Sequence, residues 1–146
     1  MKYSNEIIID LPRKRVIELF DNSDNMPKWQ KGLKSFEHLS GEPGKVGAKS
    51  KMVYDMGRGD MEMIETITVN NLPDEFCGTY EAKGAWNEMK NYFYDVNESQ
   101  TKWFSHSEFK FSGIMMRVMG FLMPGSFKKQ SMKFMVAFKE FVESED

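Results

Sequence analysis

Cysteine is almost missing from this chain. Cys77 stands alone, which excludes an internal disulfide and a thiolate-built metal centre. Histidine is nearly as scarce: His38 and His106 are too few for a histidine-rich metal site, and no metal is expected. There is no surplus of basic charge. The net charge is −2 and the pI about 5.8, which argues against a nucleic-acid partner. Uncharged apolar runs of about 18 residues are lacking, so no transmembrane helix is expected. The stretch IMMRVMGFLMP is too short for one and carries Arg117. The opening MKYSNEIIIDLP has no apolar core with a cleavage site, so no secretory signal is read and a cytoplasmic location is the default expectation. Phosphate-binding loops are missing too. GEPGKVG at 41–47 lacks the Lys-Ser/Thr ending of a P-loop, and neither G-x-S-x-G nor H-E-x-x-H occurs. No cofactor is expected.

What is present is enough for one folded domain over residues 1–146: hydrophobic residues make up 40% and charged residues of both signs 29%. SNEIIID, rich in β-branched residues, reads as a first strand from about Tyr3 to Asp10. Pro12 sits where a helix can start, with Asp10 as its expected cap. RKRVIELFDN then places Val16, Leu19 and Phe20 on one helical face. Asn25-Met26-Pro27 opens a second short helix that contains Trp29. Six further strands follow, roughly Leu33–Ser40, Ala48–Met56, Met61–Asn70, Phe76–Lys83, Trp86–Val96 and Thr101–Phe111. Glycine, proline and asparagine punctuate the breaks. Connections this short favour antiparallel hairpins.

After Ser112-Gly113 the period changes. Ile114 to Met123 reads as helical, interrupted at Gly120 and stopped by Pro124-Gly125. Ser126 is the expected N-cap of a longer helix running to about Glu143. Phe127, Phe134, Phe138 and Phe141 fall near one of its faces, with Met135 and Val142 beside them.

The segments IDLPRKRVIELFDN, PKWQKGL with Trp29, LSGEPGKVGAK and TVNNLPDEF, in that order and followed by a long last helix, resemble the START-like superfamily, also called SRPBCC, and within it the polyketide cyclase/dehydrase and lipid-transport group. The resemblance covers nearly all of the chain. It implies an α+β helix-grip fold: a seven-stranded curved antiparallel sheet wrapped around a C-terminal helix, two short helices between strands one and two, and an apolar cavity between sheet and helix.

Alternation along the strands groups Ser50, Met52, Tyr54 and Met56; Met61, Met63, Glu65, Ile67 and Val69; Phe76, Gly78, Tyr80 and Ala82; and Trp103, Ser105, Ser107, Phe109 and Phe111. In the sixth strand Ala85, Met89 and Phe93 alternate against Trp86, Tyr92 and Tyr94, and the choice of face stays open. The expected ligand-lining set is Met52, Tyr54, Met63, Glu65, Ile67, Tyr80, Trp103, Phe109, Phe127, Phe134, Met135 and Phe138. Methionine moulds to varied apolar surfaces, which suits such a lining, although Met and Phe at helical spacing also simply fill cores. Glu65 is the odd residue among apolar neighbours. It is either a polar anchor or acid/base, or, as preferred here, a solvent-facing carboxylate displaced by a bulge or near a cavity mouth. His106 and His38 read as surface residues, and Cys77 as a half-buried structural thiol. Asp55, Asp60 and Glu62 read as a solvated hairpin end.

Three functions fit these residues. The first is binding or transport of a small hydrophobic molecule, lipid-like or polyketide-like. The second is a cyclase or dehydratase acting in the same cavity, with Glu65 and Tyr80 as the first catalytic candidates. The third is a membrane- or protein-interaction module, in which GIMMRVMGFLMPGSFKK docks peripherally on a membrane surface. Fold alone does not choose among them.

Overall fold

A computed structural model describes residues 1–114 and 125–145. Strand β1 (Lys2–Ile9) leads into helix α1 (Arg13–Phe20), a 3-10 turn (Ser23–Asn25) and helix α2 (Met26–Trp29). Strands β2 (Leu33–Ser40), β3 (Lys49–Asp55), β4 (Asp60–Asn71), β5 (Glu75–Ala82), β6 (Ala85–Asn97) and β7 (Gln100–Phe111) follow, and helix α3 (Ser126–Ser144) closes the chain. The segment read as helical between Ile114 and Met123 lies almost wholly outside the described residues.

The seven strands form one antiparallel sheet in the order β1-β7-β6-β5-β4-β3-β2. Consecutive strands from β2 to β7 are neighbours because their connections are too short for anything but hairpins. The α1–α2 segment carries the chain from one edge of the sheet to the other. In the β2–β3 loop, Gly41 has φ +78 and a Cβ there would stand 2.9 Å from the Ala48 Cα, so only glycine fits.

Both helix starts differ from expectation. Pro12, not Asp10, is the N-cap residue of α1; its extended backbone (φ −61, ψ 146) directs its carbonyl to the N–H groups of Arg15 and Val16. Asp10 lies two residues too early to reach them. Its carboxylate accepts from Gln100 Nε2 at 2.8 Å and pairs with Lys139 of α3. Helix α3 is capped by Gly125 without a side-chain bond, and Ser126 is already its first helical residue.

The sheet face that α3 covers, here the concave face, carries the core. Ile9, Leu11, Val16, Leu19, Trp29, Phe93, Trp103, Met135, Phe138 and Val142 form one buried cluster. Along α3 the fully buried stripe is Met135, Phe138 and Val142. Phe134 and Phe141 flank it half-buried, so the helix is turned slightly from the expected phenylalanine face. Each such large side chain taken from water contributes about 2–3 kcal/mol. Polar ties fix the register of α3 on β1: Tyr3 Oη lies 2.6 Å from Ser131 Oγ, and Asn5 Nδ2 donates to the Lys128 carbonyl at 3.1 Å.

Candidate functional site

Cross-strand partners share a face, so the register assigns every concave residue. One row reads His38 on β2, Ser50 on β3, Glu65 on β4, Tyr80 on β5, Asn87 on β6 and Phe109 on β7, each directly opposite the next. The neighbouring rows contain Met52 opposite Met63, Tyr54 opposite Met61, and Ile67 opposite Gly78 opposite Met89. The open choice on β6 is thereby decided: Ala85, Asn87, Met89, Asn91 and Phe93 are concave, paired with concave residues of β7.

Glu65 is buried, not solvent-facing, at 7% exposure. The bulge that could have turned it outward exists but lies further along β4, between Ile67 and Val69. It acts on Val69 instead, which is paired with Cys77 and so faces away from the side expected for it. The Tyr80 hydroxyl donates to Glu65 Oε2 at 2.8 Å, and Tyr80 is the one hydrogen-bonding side chain that Glu65 has among the described residues. Gly78 lies beside this pair: a Cβ there would press on the Thr66 carbonyl at 3.1 Å and reach ordinary contact with the Tyr80 hydroxyl at 3.6 Å.

Burial raises the Glu65 carboxyl above its ordinary range, and the Tyr80 hydrogen bond offsets only part of that rise. Tyr80 is itself raised well above a normal phenol, by burial first and then by the Glu65 charge. Tyr54 shifts the same way for the same two reasons. Its hydroxyl donates to Gln30 Oε1, which ties β3 to the end of α2.

Aromatic groups bound this polar row on both sides. On one side Trp29, Phe93, Trp103 and Phe138 pack together, with ring centroids 5.0 Å apart for Trp29–Phe138 and 5.3 Å for Trp103–Phe138. On the other, Phe127 of α3 sits 4.8 Å from Phe109 and 5.5 Å from Phe111. Trp103 and Phe109 are six residues apart on β7, roughly 20 Å of strand.

The residues expected to line a site thus fall into groups. Met52, Tyr54, Met63, Glu65, Ile67 and Tyr80 come together on β3–β5. Trp103, Met135 and Phe138 belong to the packed cluster, with Phe134 against it. Phe109 and Phe127 form the opposite group.

Sequence reasoning missed Asn5, Asn87, Asn91 and Gln30. Asn87 Nδ2 donates to Ser107 Oγ at 3.0 Å, and Trp103 Nε1 donates to Asn91 Oδ1 at 3.0 Å. Polar residues at odd positions of β6, in step with Phe93, were the available signal. Trp29 Nε1 is buried without a partner among the described residues.

Other candidates lie elsewhere. Cys77 is fully buried rather than half-buried; its thiol donates to Glu75 Oε2 at 3.4 Å and is pushed up to about 11, chiefly by burial. His106 pairs with Ser4 at 2.8 Å on the outer face, and His38 is exposed on β2. Asp60 pairs with Lys34 and Glu62 with Lys51. Among the described residues no acidic, histidine or cysteine group could hold a metal ion, and no helix is long and apolar enough to cross a membrane.

Sheet order, enclosed C-terminal helix and early helix pair together define the START-like helix-grip fold. No family model and no curated protein matches the sequence. Solved structures do match. TTHA0849 from Thermus thermophilus aligns with a TM-score of 0.81 at 15% identity, covering 100% of this chain and 99% of that one. The ZhuI aromatase/cyclase from Streptomyces sp. R1128 aligns at 0.78 and 12%, covering 98% and 93%. A START superfamily protein from Mycobacterium smegmatis aligns at 0.75 and 10%, covering 99% of each chain. At these identities the likeness speaks for the fold alone.

Proposed function

We propose that this protein binds a small hydrophobic molecule between the concave face of the sheet and α3, with Glu65 and Tyr80 holding the molecule's polar group. The observation that carries this reading is the pair of buried Glu65 and half-buried Tyr80 on an otherwise largely apolar face. Around it Met63, Phe76, Met89 and Phe109 stay only half-buried although they stand on the face that α3 covers. Apolar walls with a few convergent polar groups are the usual make-up of a small-molecule site. Burying about 300 Å² of ligand apolar surface contributes roughly 7 kcal/mol before association entropy is subtracted. Native mass spectrometry of gently purified protein, followed by organic extraction, tests the reading. A discrete added mass recovered as a hydrophobic compound is expected. Repeated apo spectra, together with no uptake of any apolar probe, would overturn it.

The same pair supports a second reading, a cyclase or dehydratase. A carboxyl that holds its proton above the usual range, in contact with a tyrosine hydroxyl, has the make-up of a general acid/base. Turnover of a bound compound that is lost in Glu65→Gln while binding persists would favour this reading over simple carriage.

A further inference from the structure

Resting on the ligand-binding reading above, we propose that the ligand is a cationic amphiphile: a hydrophobic body whose protonated amine is held by Glu65. The first ground is charge. Between the two aromatic groups Glu65 is the one formally charged side chain on the concave face, and neither Lys nor Arg stands there among the described residues. Its two cross-strand neighbours, Ser50 and Tyr80, are neutral, as is Asn87 beyond Tyr80. Helix α3 turns Met135 and Phe138 inward and leaves Lys128, Lys129 and Lys133 exposed. The titratable groups that share this part of the face with Glu65 are Tyr80 and Tyr54, both phenols that feel its charge, and His38, exposed on β2 one strand beyond Ser50.

The second ground is unused bonding capacity. Tyr80 occupies Oε2, while Oε1 has no hydrogen-bonding side chain among the described residues. A carboxylate accepts at both oxygens, so a donor is what the site lacks. An ammonium supplies several donors and the missing counter-charge at once. The rings of Tyr54, Phe76 and Tyr80 on the same face offer electron-rich surfaces that favour a cation. A fatty-acid carboxylate would find no Lys or Arg on this face among the described residues to balance it. An alcohol would be accepted but not selected.

Burial raises the Glu65 carboxyl in the free protein, and an ammonium seated beside it acts in the opposite direction, so amine binding shifts Glu65 toward giving up its proton. The bond to Tyr80 stays intact. Amine binding therefore releases protons, and alcohol binding does not.

The test is isothermal titration of the full chain at pH 7 with decylamine, decanol and decanoate below their micellar concentrations, in two buffers of different ionisation enthalpy. Decylamine is expected to bind at least tenfold tighter than decanol, and decanoate weaker than both, with buffer-dependent heat for the amine only. Glu65→Gln keeps an acceptor for Tyr80. It is expected to lose both the amine preference over decanol and the buffer dependence. Decanol binding with no preference for the amine, or a preference that survives in the variant, overturns the inference and leaves the ligand-binding reading standing. Failure of all three probes to bind overturns both.

Discussion

Tyr80 and Glu65 face each other across the β4–β5 ladder, and the phenol donates to the carboxylate at 2.8 Å. That contact joins an acid and a hydroxyl fifteen residues apart, with no Lys or Arg beside them on the sheet face among the described residues. It sets the chemistry of the concave face, and most of what can be tested follows from it.

Glu65→Gln is expected to change the pH profile of stability. The folded carboxyl has a raised pKa, so its contribution is fully present below its unfolded value, near the ordinary 4.5, and is lost as pH rises through the folded pKa. The Gln variant carries no such loss. Its advantage over the parent should grow by about 1.4 kcal/mol per pH unit across that window and then level off. Urea unfolding from pH 4 to pH 8 measures it; parallel profiles would mean that Glu65 titrates normally.

Tyr80→Phe removes the one hydrogen-bonding side chain of Glu65 and should cost about 1–3 kcal/mol. The missing bond had lowered the carboxyl pKa, so the variant's carboxyl should titrate still higher. Gly78→Ala should cost a similar amount, about 1–3 kcal/mol, by pressing on the Thr66 carbonyl, and its methyl would touch the Tyr80 hydroxyl. The two changes share a contact, so a double-mutant cycle should show coupling above about 0.5 kcal/mol. Strict additivity would separate Gly78 from the placement of Tyr80.

The two core tryptophans should respond differently. Trp103 donates to Asn91, and Trp103→Phe strands a buried acceptor at a cost of about 1–3 kcal/mol beyond lost packing. Trp29 has a buried N–H without a partner among the described residues, so Trp29→Phe removes an unsatisfied donor along with some volume. Denaturant midpoints should place Trp103→Phe at least about 1 kcal/mol below Trp29→Phe. The reverse order would show that Trp29 Nε1 has a partner in solution.

Phe138→Ala should be the most damaging of these substitutions, about 3–5 kcal/mol, because the ring is fully buried against Phe20, Trp29 and Trp103. Val136→Ala, on the exposed side of the same helix, should stay within about 0.5 kcal/mol. Thermal melts of the pair give the comparison.

The local elements were legible in the sequence. Period-two stretches separated by Gly, Pro and Asn define the strands to within a residue or two, and short connections leave hairpins as their only pairing. Alternation alone places Ser50, Met52 and Tyr54, then Met63, Glu65 and Ile67, then Phe76, Gly78 and Tyr80 on shared faces, because side-chain direction in a strand is a local property. What alternation could not determine is what lies on either side of a face. The bulge that turns Val69 around is set by pairing with β5, not by β4 itself. The concave placement of Asn87 and Asn91 follows only once β6 is registered on β7. Asp10 is drawn to Lys139 by a helix more than a hundred residues later. Glu65 illustrates the division most plainly. Its position on the strand was readable, but burial is a property of neighbours from distant parts of the chain, so only tertiary structure decided that this carboxyl is buried on the concave face against Tyr80 rather than in water.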